Sequence, residues 1–448
     1  MDPVDKVILI RAAGIFLPVL LIFGWCLWRK KPARGQIVGA LLACGWNIPA
    51  LLLMNLLAAR FGWWNFAAQG GLFQEMPVEL YLGWILLWGA IPILVFPRMR
   101  WWLMLLVFFG ADLIVMPACS PVVELGDNWL AGELCGLAVC LLPAQLLARW
   151  TRNRSHLAGR VILQIIIFSS LLFWVLPAVI LDQTNETWAM LFKRSSWLNS
   201  LALQLLSLPA ILGLSAVREF YLRGKGTPVP YDPPKRLVTS GVYAYLANPM
   251  QVAMCLLLAG WGAMLGSVWV GAAGVMSLIY STGLAAWDES ADLKERFGDD
   301  WRNYRLEVRN WFPRWRPVGR TISQIYVAES CGKCSEIGAW LRARKPVGLE
   351  IIAAENHPTR DLSRLTYEDE EFRAEGIIAF ARALEHLNFA WAFVGWSLQF
   401  PLICQFAQLL IDASGGERQF VRGSSSAAAA CSLTTDTLED EAIESLLG

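Results

Sequence analysis

The chain has 448 residues, of which 56% are hydrophobic and 17% charged, with 23 tryptophans; soluble proteins carry roughly 25% charged residues, so a membrane protein is expected. The net charge of +1, without a basic stripe interleaved with aromatics, excludes a nucleic-acid partner. Met1-Asp2-Pro3-Val4-Asp5-Lys6 lacks a basic leader and a small-residue cleavage site, so the first apolar run reads as a retained span.

A helix needs about 20 apolar residues to cross a bilayer. The runs 7–28, 37–59, 78–96, 101–117, 130–149, 161–181, 197–217, 250–265 and 267–287 meet that need. They predict an all-α polytopic bundle of about nine spans. Trp63, Trp64, Trp101, Trp102, Trp150, Trp188 and Trp197 sit at their ends, where interfacial aromatics belong. Basic residues follow alternate spans: Arg29, Lys30, Lys31 and Arg34; Arg98 and Arg100; Arg149, Arg152 and Arg154; Arg218, Arg223, Lys225, Lys235 and Arg236. The alternation predicts an outside N-terminus and a cytoplasmic C-terminus, in a plasma membrane of bacterial type, with Lys193-Arg194 as the exception. Inside spans, Arg11 and Asp112 read as a mutual pair or helix glue, or Asp112 as an acid lining an acceptor cavity.

Early in the chain, Phe61-Gly62-Trp63-Trp64-Asn65-Phe66 and Met76-Pro77-Val78-Glu79-Leu80-Tyr81 faintly resemble the membrane lycopene cyclase domain. That family carries a Pro-x-Glu-Glu turn; Glu79 is present here and Leu80 replaces the second acid. The other reading is a proline-initiated helix with an acidic first turn.

From 235 to 317 the chain changes character. Thr239-Ser240-Gly241-Val242-Tyr243 and Ala247-Asn248-Pro249-Met250-Gln251 precede two short hydrophobic helices broken at Leu265-Gly266-Ser267. Asp288-Glu289, Leu293, Phe297-Gly298, Trp301 and Tyr304 follow in a charged amphipathic stretch. In this order they resemble the isoprenylcysteine carboxyl methyltransferase and phospholipid methyltransferase superfamily of membrane enzymes. Ala247, Gln251, Asp288 and Trp301 replace that family's usual Arg, Tyr, Glu and Tyr.

The resemblance implies S-adenosylmethionine at the cytosolic membrane face and a lipid or isoprenoid-like acceptor entering from the bilayer. It implies Tyr243, Asn248, Pro249, Met250, Asp288, Glu289 and Tyr304 as cofactor-binding positions. The residue chemistry agrees: a sulfonium cofactor needs positioning and water exclusion more than a metal. Two carboxylates suit its ammonium group, and a proline-led helix start, or Arg302 and Arg305, suits its carboxylate. Read alone, Asp288-Glu289 is equally a favoured acidic helix start, and Tyr243, Tyr245, Trp301 and Tyr304 are equally interfacial anchors. No general base is identifiable.

Beyond 320 the pattern reads as soluble. A strand at 322–328, then Glu329-Ser330-Cys331-Gly332-Lys333-Cys334, a helix at 335–344 and a strand at 348–354 form the thioredoxin-like arrangement. The region 325–416 is similar to the thiol-disulfide oxidoreductase family named for its Asp-x-x-Cys-x-x-Cys motif, with Ala328 in place of the Asp. A small cytosolic α/β domain is therefore expected, with Cys331 and Cys334 as redox candidates. A zinc knuckle and a degenerate structural domain are the alternatives; no ligand spacing supports the metal.

The run 387–411, interrupted by Pro401, reads as a packed or interfacial helix rather than a tenth span. The expected domains are 1–196, 197–320, 321–422 and a flexible acidic tail at 423–448. The reading that follows is a lipid-directed methyltransferase, with a membrane-tethered thiol oxidoreductase or a non-enzymatic scaffold as the alternatives.

Overall fold

The computed structural model describes residues 3–28, 31–229, 232–319, 322–358, 361–369, 372–414 and 421, with the side chains of 3 and 284–289 outside that description. The expected tail at 423–448 also lies outside it. The chain divides into two compact units. One holds Met1–Ser195, Lys225–Pro233 and Trp261–Ala272; the other holds Ser196–Gly224, Pro234–Gly260 and Ala273–Gly448.

The first unit is built on six long apolar helices: α1 (Pro3–Trp28), α2 (Arg34–Phe61), α3 (Val78–Val95), α4 (Trp101–Ala118), α5 (Trp129–Asn153) and α6 (Leu157–Thr184). Such helices satisfy every backbone group internally, as a bilayer requires. Helix α2 is the most buried of them, whereas α1 leaves nearly all its leucines and phenylalanines outward. Helices α3, α5 and α6 each widen into a π-helical turn, at Leu86–Ala90, Leu137–Leu141 and Leu171–Val175. A proline follows each turn by two residues, Pro92, Pro143 and Pro177. Its ring cannot pack over the preceding turn of a regular helix, and the extra residue relieves the crowding.

Polar side chains tie these helices together. The Trp46 indole donates to the Val139 carbonyl at 2.8 Å and the Tyr81 hydroxyl to the Ile48 carbonyl at 2.6 Å. Arg11 does not meet Asp112: it pairs with Glu79 at 2.9 Å, because Glu79 occupies the first turn of α3. Asp112 is buried with Glu133 of α5, likewise buried, as its charged neighbour instead. Arg98 and Arg100 converge with Arg149 and Arg152 around an open cavity of about 560 Å³ that Trp101 and Trp102 also line. The basic segments after the third and fifth helices therefore lie together, as the charge alternation requires.

The second unit starts with α7 (Ser196–Leu222), the seventh helix long and apolar enough to span. The two further spans expected from the sequence fall short. They form α8 (Pro249–Leu265) and α9 (Val268–Gly283), joined at Gly266, whose φ of +71° favours glycine. The two helices pack as a hairpin: a Cβ on Gly274 would sit 2.9 Å from the Ala259 nitrogen, a small-residue approach typical of membrane helices. The chain is thus a multi-pass membrane protein, with seven candidate spans among the described residues and a shorter apolar hairpin where two further spans were expected.

From α9 the helix continues into α10 (Ala286–Glu307), kinked at Gly298, where φ is 53°. A four-stranded sheet follows, in the order β6-β5-β7-β8 of the whole chain; strands β1 to β4 are short pairs in the first unit, Trp64–Phe66 with Val123–Leu125 and Leu72–Phe73 with Met76–Pro77. Strand β5 (Ser323–Val327) runs parallel to β6 (Leu349–Ala353), Ile325 opposite Ile351, and antiparallel to β7 (Thr366–Glu368), which pairs with β8 (Arg373–Glu375). Helix α11 (Gly332–Ala343) connects β5 to β6, and α12 (Ile377–Leu384) follows β8. Ile325, Val327, Leu341, Tyr367, Ala379 and Leu384 form the core between sheet and helices. The run 387–411 is two helices, α13 (Phe389–Leu398) and α14 (Pro401–Ala413), bent by 91° at the proline.

Candidate functional site

The last turn of α7 carries Glu219, buried among charged partners. The loop at 239–243 wraps over it. Gly241 adopts φ +59°, and a Cβ there would lie 2.7 Å from the Glu219 carboxyl carbon, so only glycine fits. The Ser240 hydroxyl donates to Glu219 at 3.0 Å. Next along the loop, the Tyr243 ring stacks on Phe220 of α7, with centroids 5.1 Å apart and planes at 16°.

The end of α10 and the segment after it return to this loop. The Tyr304 hydroxyl of α10 donates to the Tyr243 carbonyl at 2.8 Å. The Ala247 N–H donates to the Arg309 carbonyl at 2.9 Å, and the Arg314 N–H to the Tyr245 carbonyl at 3.0 Å. Ala247, Tyr304 and Val308 share one apolar cluster. Asn248 follows directly, its amide 3.2 Å from Gln251 Oε1, and Pro249 opens the 17-residue α8 with Met250 half-buried. The structure therefore brings Tyr243, Asn248, Pro249, Met250 and Tyr304 together. Asp288 and Glu289 lie in the first turn of α10, and their side chains are outside the described residues. Tyr243, Tyr245 and Tyr304 are all buried within protein, which overturns their reading as interfacial anchors. The Tyr245 hydroxyl donates to the Glu385 carbonyl at 2.7 Å, and burial pushes its pKa well above the ordinary range.

Sequence reading missed the charged cluster below this loop. Arg382 of α12 reaches Glu219 at 2.6 Å and Glu385 at 3.0 Å. Gln399 donates to Glu385 at 2.6 Å and accepts from Arg218. Arg223 forks onto both oxygens of Asp369. Burial opposes the Arg382 charge, yet the Glu219 and Glu385 carboxylates outweigh it and raise the guanidinium further. Arg218-Glu219 near the end of an apolar span, with Arg382 and Glu385 one helical turn apart, is the signal that was available.

In the C-terminal sheet, Cys331 directly precedes α11 and Cys334 lies in its first turn. Hydrogen bonds from the Cys334 backbone and thiol stabilise a Cys331 thiolate and lower its pKa. Burial pushes the Cys334 thiol up to about 11, with Cys331 and the Glu355 charge adding to it. Glu355 was also missed. It lies just past β6 and accepts from the Glu329 and Ser330 N–H groups at 3.2 and 3.0 Å, holding the segment before the cysteine pair. Ala328, in the position of the family's Asp, packs in an apolar cluster around Tyr326, Ala354 and Leu362.

Among the described residues no group of His, Cys, Asp or Glu is arranged to hold a metal ion. No curated protein and no solved structure matches the chain. Residues 200–300 match the model of the phospholipid methyltransferase family. That match covers most of α7, the 239–248 loop, the α8–α9 hairpin and the first part of α10, so all of the site except Tyr304 is built on a segment of membrane-methyltransferase type within a multi-pass membrane protein.

Proposed function

We propose that the protein is an S-adenosylmethionine-dependent methyltransferase acting on a lipid or isoprenoid-like acceptor at the cytoplasmic membrane face. One observation carries the reading: the Tyr304–Tyr243 bond holds α10, just past the matching segment, against the loop within that segment that leads into α8. The donor set fits the cofactor. The proline-led start of a 17-residue helix favours a carboxylate through the helix dipole, with the Asn248 amide beside it. Asp288 and Glu289, at the head of α10, supply the carboxylate class that an ammonium and a sulfonium call for. When bound, the cofactor supplies an electrophilic methyl group. The chain's part is to hold donor and acceptor in line and exclude water, which the buried tyrosines and the apolar hairpin serve.

Calorimetry on the full-length protein in detergent tests this. S-adenosylmethionine is expected to bind, and Glu289→Ala to weaken it by about tenfold or more, equivalent to about 1.4 kcal/mol. Lipid mass spectrometry of cells with and without the protein should then reveal species differing by one CH₂. Binding that is absent, or indifferent to Glu289→Ala together with Asn248→Ala, would remove the cofactor from this site.

A second reading, a membrane-attached thiol-disulfide oxidoreductase, is favoured by the asymmetry of the cysteine pair. A lowered, accessible Cys331 and a raised Cys334 are what nucleophilic and resolving thiols need. Cys331 thiolate would attack one sulfur of a partner disulfide and release the other as a thiolate. Cys334, on losing its proton, would then attack Cys331 and free the second partner thiol. The β6-β5-β7-β8 order, with a helix between the parallel pair, supports the thioredoxin-like expectation behind it.

A further inference from the structure

Helix α14 has its polarity reversed. A surface helix normally turns its apolar stripe to the core and its polar face to water. Here the polar face holds the fold. Gln408 accepts from the Ile377 N–H at 2.9 Å, Asp412 pairs with Arg364 at 2.7 and 2.9 Å, and Gln408 donates to Asp412 at 2.8 Å. The opposite face carries Leu402 at 82% exposure, Leu409 at 67%, Phe406 at 65% and Leu410 at 52%, with Ile403 between them. At 3.6 residues per turn these five side chains occupy one arc of roughly 120°, with no polar residue inside it. No side chain of α14 is buried by the rest of the protein.

The position of α14 names what covers that arc. The helix begins at Pro401, two residues after Gln399, and Gln399 bonds to Arg218 near the end of the candidate spanning helix α7. Helix α13 packs on the same end of α7. Along α7 the residues Leu201, Leu205 and Leu208 are exposed on one face, as lipid contact requires of a spanning helix. The apolar arc of α14 thus begins where α7 leaves the hydrocarbon, and the 91° bend before it turns the chain aside. A helix of this kind is stable with its apolar face sunk about 5–10 Å into the headgroup boundary.

We propose that α14 is a bilayer-docking helix whose Leu402–Phe406–Leu409–Leu410 face lies in the interface of the leaflet where α7 ends. The sheet bearing Cys331 and Cys334 is then held at the membrane surface by a helix it grips through polar contacts. The proposal does not depend on methyl transfer.

The test uses full-length protein in phosphatidylcholine–phosphatidylglycerol nanodiscs. A nitroxide is attached through Phe406→p-acetylphenylalanine, with a second sample labelled at Leu402 and a control at Glu350 on the exposed edge of β6. Collisions with oxygen, which concentrates in lipid, are compared with collisions with a water-soluble nickel chelate. The expected result is oxygen exceeding nickel at 406 and 402, and nickel exceeding oxygen at 350. Nickel exceeding oxygen at 406 and 402 would place the face in water. Low access to both reagents would mean that protein, such as a second copy of the chain, covers it. Either result overturns the proposal.

Discussion

The Arg382 guanidinium lies 2.6 Å from the Glu219 carboxylate, with 1% and 3% of the two side chains exposed. It also faces the Phe372 ring, 4.9 Å from the centroid. A desolvated pair survives only with good geometry and further hydrogen bonds, and Ser240, Glu385 and Gln399 supply them. The pair joins the end of a spanning helix, the methyltransferase-like loop and the C-terminal helices. All three consequently belong to one compact unit.

Arg382→Met should destabilise that unit by about 3–5 kcal/mol, because two buried carboxylates lose their counter-charge. The drop in unfolding temperature in detergent reads it. Combining Arg382→Met with Glu219→Gln should recover much of the loss. A double variant as damaged as the sum of the single ones would show that the pair does not couple.

Tyr304→Phe removes the donor to the Tyr243 carbonyl at a cost of about 1 kcal/mol. Under the methyltransferase reading it should also weaken S-adenosylmethionine binding while leaving the fold intact by circular dichroism. Unaltered binding would confine Tyr304 to a structural role.

Cys331 should react with iodoacetamide at a pH below that of an ordinary thiol, near 8.5. Cys334, raised to about 11, should label only at much higher pH. Mass spectrometry of peptides labelled across pH reads both. Equal profiles at the two sites would speak against the redox reading.

Burial lowers the His386 pKa to about 4, while its Nδ1 lies 2.8 Å from the Val347 carbonyl. Between about 4 and 6.5 the unfolded chain binds the proton and the folded one does not, so stability rises with pH there. This contribution is fully present above about 6.5 and is lost as pH falls toward 4. Unfolding temperatures from pH 7 to pH 4 should fall, and fall less for His386→Asn. Parallel curves for both proteins would contradict the assignment.

The membrane character was legible from apolar runs alone, because a bilayer demands long uninterrupted helices. Six of the early runs and 197–217 fall on the seven candidate spans. The hairpin was legible as a break at Gly266, but not that its helices are shorter than the other apolar runs. Gly241 and Gly298 were legible only as motif positions; that each takes a backbone angle glycine adopts cheaply, with a kink at Gly298, was decided by the fold.

Residue order alone thus established a lipid-embedded chain with a methyltransferase-like block and a cysteine pair at a helix start. Covalent neighbours and periodicity carry that much. Which charges meet was decided only in three dimensions: Arg11 with Glu79, Glu219 with Arg382, and Arg364 with Asp412. Ion pairing depends on approach through space between distant segments, and for the buried Glu219–Arg382 pair the low-dielectric interior makes a wrong choice cost several kcal/mol. No spacing along the chain encodes it.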